Sequence, residues 1–124
     1  MPVARLKAGG GAPEVEIVVG HLHRADFEFW LYDPTGANPI AVGAGKTSDD
    51  KPDKFPFPKP LAQLDGHLLW WQAGLVAHAA GPADAPFSVT VRVLQDGHIA
   101  GLDGGSGTME RPHTTGMLQL RVMP

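Results

Sequence analysis

The sequence predicts an all-β chain, an antiparallel β-sandwich or jelly-roll-like fold of six to eight strands with little or no helix. Three observations predict it. Glycine (16) and proline (12) cluster between apolar runs instead of spreading evenly, which is the punctuation of many short elements joined by turns. Apolar and polar residues alternate through 14–19, 25–32, 87–94 and 117–123, the period of half-buried strands. The one helical stripe, in 61–80, is interrupted by Gly66 and Gly74, and each glycine costs about 1 kcal/mol in a helix interior.

The elements follow in order. Residues 1–13 read as a flexible glycine-rich lead-in, and 14–124 as a single sandwich domain. Val15, Ile17 and Val19 share one face of the first strand. Phe27, Phe29 and Leu31 share one face of the next, and Asp26, Glu28, Trp30 and Tyr32 the other. Asp33-Pro34-Thr35-Gly36 is a turn: proline presets φ at its second position and glycine suits the fourth. Residues 39–44 read as a short partner strand. Between Gly45 and Pro60 lie seven charges and four prolines, so this stretch reads as a long surface excursion, pinned to the core by Phe55 and Phe57.

Residues 61–80 admit two readings. Leu61, Leu64, Leu68, Trp71 and Leu75 are spaced as a helical stripe. Leu68-Leu69-Trp70-Trp71, apolar on both strand faces, suits a strand buried on both sides. A strand over 67–78 with a bend or bulge at Gly74 is the favoured reading. Phe87, Val89, Val91 and Val93 face inward on a further strand. Asp96-Gly97 signals a type I′ hairpin turn, with a short return strand over 99–102. Residues 103–116 read as a glycine-rich loop, and Leu118, Leu120 and Val122 face inward on the last strand.

Composition bounds the function. The net charge of −3 argues against an electrostatic grip on nucleic acid or on an anionic membrane. With no cysteine, disulfides, thiolate metal sites and a cysteine nucleophile are excluded. No apolar stretch follows the basic start as in a secretory signal. The longest nearly uncharged apolar stretch, 68–80, falls short of the roughly 20 residues a membrane helix needs. The expectation is a soluble product, cytoplasmic by default. From Gly66 to Val91 the only formally charged residue is Asp84. That stretch asks to be buried inside the monomer or against another copy, so homo-oligomerisation is an expectation.

Several motifs bear on chemistry. Gly45-Lys46-Thr47 ends like a phosphate-binding loop, but Ile40 stands where that loop requires glycine, and no helix can start at Ser48-Asp49-Asp50-Lys51-Pro52. Gly104-Gly105-Ser106-Gly107-Thr108 approaches a nucleophile elbow without its last glycine or its strand-to-helix setting. His21-Leu22-His23 places two imidazoles on one side of an extended chain, where they can grip a transition metal such as Zn²⁺, Fe²⁺ or Ni²⁺. Glu28 follows five residues after His23. This HxH, four residues, then Glu spacing resembles the first motif of the cupin family, a metal-binding jelly-roll barrel. The resemblance spans about 16 residues and implies His21, His23 and Glu28 as metal ligands, with a distant histidine as the fourth. The second cupin motif, with proline and glycine before its histidine, matches none of His67, His78, His98 or His113.

Asp49, Asp50 and Asp53 form a carboxylate cluster that can chelate calcium through oxygen ligands, and with Trp30 or Trp70 would make a lectin-like carbohydrate site. Trp30 and Trp70 can also stack on a ligand or anchor an interface. No nucleophile–base set, paired catalytic carboxylates or phosphate cradle passes a test of context. The sequence therefore supports a non-catalytic binding or assembly module without a cofactor, for a protein or small-ligand partner. A small cupin-like metal enzyme or sensor and a calcium-dependent carbohydrate binder are the alternatives.

Overall fold

Alternation along the chain is realised as two stacked sheets. A computed structural model describes residues 1–20, 24–47, 52–76, 82 and 84–124, with Thr47 described by its backbone. Among these residues run nine strands: β1 (Val3–Lys7), β2 (Glu14–Val19), β3 (Arg24–Tyr32), β4 (Ile40–Thr47), β5 (Asp53–Pro56), β6 (Leu68–Val76), β7 (Pro86–Gln95), β8 (His98–Thr108) and β9 (His113–Met123). The helical content of the described residues is one 3-10 turn, Leu61–Gln63. The five-stranded sheet has the order β1-β9-β6-β3-β4 and the four-stranded sheet the order β5-β2-β7-β8. This is the expected all-β sandwich. No helix among the described residues is long and apolar enough to cross a membrane, which does not bear on membrane β-barrels.

The strand favoured over 67–78 forms as β6 in its described part, while residues 77–80 lie outside the described residues. Leu69, Trp71, Ala73 and Leu75 of β6 are buried between the sheets, while Leu68, Trp70 and Gln72 are half-buried on the outer side. Gly74 does not bend the strand, since its pairing with β3 and β9 continues in register. The register shifts lie between Phe29 and Trp30, facing β4, and between Val93 and Leu94. Both turns form as expected. Gly36 has φ +80° and its amide donates to the Asp33 carbonyl. Asp96 and Gly97 have φ of 53° and 76°, the positive pair that a type I′ turn requires. Phe57 is buried, and Phe55 packs edge-on to Phe27 with centroids 5.8 Å apart.

Four expectations need correction. Nine strands form where six to eight were expected. The lead-in contains β1, whose Ala4 and Leu6 are fully buried and which pairs in parallel with β9, an exception to the antiparallel pattern. Its short Val-Ala-Arg-Leu-Lys alternation is masked by the glycines that follow. The excursion at 45–60 holds the end of β4 and all of β5. The supposed glycine-rich loop at 103–116 is the end of β8, a tight turn and the start of β9.

The last correction has a physical cause. In β8, Gly101, Gly105 and Gly107 face inward across from Val93, Val89 and Phe87. A Cβ on Gly101 would lie 2.6 Å from the Cα of Ala4, and one on Gly105 would overlap the Thr114 hydroxyl. The glycines serve close backbone approach here, letting the edge of one sheet sit against the edge of the other. Asp103, on the same face of β8, accepts a 2.8 Å hydrogen bond from the indole of the fully buried Trp71. Gly116, the register partner of Trp71, leaves room for that contact. On the same side, the buried Gln95 amide accepts from the Lys7 amide at 2.7 Å and donates to its carbonyl at 2.9 Å. It pairs with β1 as a neighbouring strand would.

Gly101→Val should therefore lower stability by about 1–3 kcal/mol or more in urea unfolding, because the neighbouring atoms are backbone and cannot yield. Gly9→Ala, at a position with nothing within 4 Å of the added carbon, should leave the midpoint unchanged.

Candidate functional site

The outer faces of the two sheets differ in chemistry. At the centre of the four-stranded sheet, Glu16 is buried and lies in register with Lys54 and Arg92. Its carboxylate accepts from Arg92 at 3.0 Å and lies 3.9 Å from the Lys54 ammonium. Opposite charges thus alternate across these three strands, with the Arg92 Nε buried and without a hydrogen-bond partner among the described residues. Ile99 and Leu102 are exposed beside it as scattered apolar residues, which need no special account.

On the outer face of the five-stranded sheet, the strands place aromatic and thioether side chains where polar ones normally meet water. Trp30 of β3 pairs directly with Trp70 of β6, and Trp70 with Met117 of β9. On the other side Trp30 meets Ala41 of β4. One row across four strands thus reads Ala41, Trp30, Trp70, Met117. The next row toward the Pro34 turn carries Tyr32, Leu68 and Gln119. The row on the other side carries Ala44, Glu28, Gln72 and Thr115. Trp30, Trp70 and Met117 are half-buried. Small β4 side chains and the register shift at Val42 leave a depression of about 170 Å³ beside Trp30, floored by Ala41, Val42, Gly43 and Ala44 and walled by Glu28.

Glu28, proposed as a metal ligand, is on this outer face and accepts a 2.6 Å hydrogen bond from the Gln72 side-chain amide. The space between the sheets is filled by Phe27, Phe29 and Trp71. The other two members of the cupin-like set, His21 and His23, lie outside the described residues, as do Asp49 and Asp50 of the calcium cluster. Asp53 begins β5, across from Ile17 in the four-stranded sheet and away from Trp30 and Trp70. Three further aspartates stand apart from it. Asp33 is partly exposed and its carboxylate is held far below the ordinary carboxylate range by the Thr35 hydroxyl, the Ala37 amide and the Asn38 side-chain amide. Asp96 accepts from the Gly11 amide, and Asp103 holds the Trp71 indole. Among the described residues no three histidine, aspartate or glutamate side chains are grouped to hold a metal. Ser106 lies exposed within β8, and Gly43–Lys46 within β4, with no helix following either in the described residues.

The structure thus brings together Trp30, Trp70 and Glu28 from the residues singled out in the sequence. Met117, Gln72 and Ala41 join them, three residues that no sequence motif singles out. Their outward alternation was legible, but the register that makes them neighbours spans some 40 residues and leaves no local trace.

Stability measurements can separate this face from the core. Trp71→Ala should cost about 3–5 kcal/mol as a buried aromatic truncation. Trp70→Ala, one residue earlier and facing outward, should cost about 1 kcal/mol or less, the scale of a cross-strand pair. Equal losses in urea unfolding would show that Trp70 serves the fold. No protein-family model matches the chain, and neither a curated protein nor a solved structure matches it.

Proposed function

We propose that the chain is a non-catalytic binding or assembly module whose contact surface is the outer face of the five-stranded sheet. The observation that carries this reading is the direct cross-strand pairing of Trp30 with Trp70, extended by Met117. Tryptophan and methionine are enriched where proteins meet partners, and paired rings offer a large area with little rotamer freedom to lose. Core packing does not account for the row, because the neighbouring Phe29, Leu31, Leu69 and Trp71 already fill the interior beneath it. The strands also hold the row on a hydrogen-bonded scaffold, so the surface is pre-organised.

The test uses the full chain immobilised on a sensor, presented with a saccharide panel and with soluble proteins, its own copy included. A partner that binds the wild type should lose on the order of 1,000-fold in affinity for Trp30→Ser/Trp70→Ser, since each anchoring tryptophan contributes about 2 kcal/mol. Binding that survives the double change but is abolished by Leu102→Ser would move the contact surface to the four-stranded sheet and overturn the reading. A saccharide as the responding partner would identify ring stacking on sugar as the chemistry of the face.

A further inference from the structure

We infer that the outer face of the five-stranded sheet packs on the same face of a second copy, with a two-fold axis running along β6. The inference rests on the reading that this face is the contact surface, and it names the partner. It is argued from the distribution of side chains about β6.

β6 is the middle strand of the sheet, flanked by β9 and β3. Trp70 therefore sits at the centre of its row, with Trp30 one strand away on one side and Met117 one strand away on the other. A two-fold axis along β6 exchanges those two sides. It sets Trp70 against Trp70, and Trp30 of each copy against Met117 of the other. This is the reciprocal pairing of an isologous interface. The shapes agree with it. The depression of about 170 Å³ lies beside Trp30 on the β4 side, and methionine is the flexible side chain best suited to fill an irregular apolar recess. Each dimer would contain this contact twice.

The polar groups agree as well. Asp26 on β3 and His113 on β9 occupy one row, each in register with Gly74 of β6. The same axis sets Asp26 of each copy against His113 of the other. Asp26 already has Lys46 at 4.0 Å, but both groups are largely exposed, and such a pair holds Asp26 only weakly. Gly74, with nothing within 4 Å of its missing side chain, leaves the axis clear between them. In size, the four strands β4, β3, β6 and β9 with outward rows at Asp26, Glu28, Trp30 and Tyr32 present roughly 500 Å² in plan. Side-chain relief adds to this, and a standard interface buries about 800 Å² on each partner.

The experiment is light scattering behind size exclusion, with the full chain over about a hundredfold range of concentration. The expected mass at the upper end is twice the 13.1 kDa of one chain, falling on dilution as mass action requires. Trp70→Lys sets two like charges together on the axis and should give a monomer with unchanged circular dichroism. Asp26→Lys and His113→Glu should each weaken the dimer about tenfold, the effect of disturbing two surface charge contacts. The combined Asp26→Lys/His113→Glu variant restores opposite charges and should recover most of the loss. A single monomeric species throughout overturns the inference, as does a dimer indifferent to Trp70→Lys, or a double variant no tighter than the singles. If the chain is monomeric yet a partner still depends on Trp30 and Trp70, the dimer falls and the contact surface stands. If no partner depends on those tryptophans, the contact surface itself falls.

Discussion

The indole–carboxylate contact between Trp71 and Asp103 is the constraint around which the sandwich is arranged. Trp71 belongs to the middle strand of one sheet and Asp103 to an edge strand of the other. For the two to meet, β8 must come close to β9 and β1, and nothing may stand between ring and carboxylate. Gly116 clears the path, and Gly101 and Gly105 allow the approach. A buried indole N–H without an acceptor would carry a desolvation penalty, so one polar contact ties the position of a large core side chain to the closure of the whole side. At the opposite side the Phe55 ring covers Gly43 and closes the gap between β4 and β5 by packing alone.

This closure has a bearing on the outer surfaces. Because Trp71 points inward and is fixed there, alternation commits Trp70 to the outside. The chain keeps two adjacent tryptophans although only one can serve the core. The partner of Trp70 across the sheet is another outward tryptophan, in a row where sandwiches usually place polar side chains. On the other sheet the equivalent central position carries Glu16 between two cations. One sheet therefore shows a charged exterior and the other an aromatic one.

Much of this fold was legible because it is local. The alternations of β2, β3 and β7 and the Asp96-Gly97 turn each lie within a few residues, and each formed as read. The Leu68-Leu69-Trp70-Trp71 run forms a strand as read, but only its Leu69 and Trp71 face is covered by the second sheet, while Leu68 and Trp70 stay half-buried on the outside. The misreading of residues 103–116 has a non-local cause. Glycines at 104, 105 and 107 read as signs of a loop, whereas in β8 they answer to atoms on β7, on β9 and on a phenylalanine ring. What a glycine is for depends on what stands opposite it, and that is not encoded nearby. The same holds for the site: Trp30 and Trp70 were both noticed, but their adjacency belongs to the pairing of β3 with β6.

The parallel pairing of β1 with β9 has a consequence for synthesis. Of the described strands β1 leaves the ribosome first and β9 last, and the two bond, with Val3 opposite Gln119 and Lys7 opposite Met123. Until β9 emerges, the apolar side of β1 has no permanent berth, and neither sheet edge at that side can be sealed. Closing so long a loop is slow compared with forming the hairpins between. Vectorial folding can therefore assemble the central strands early, but the finished domain must wait for its own tail.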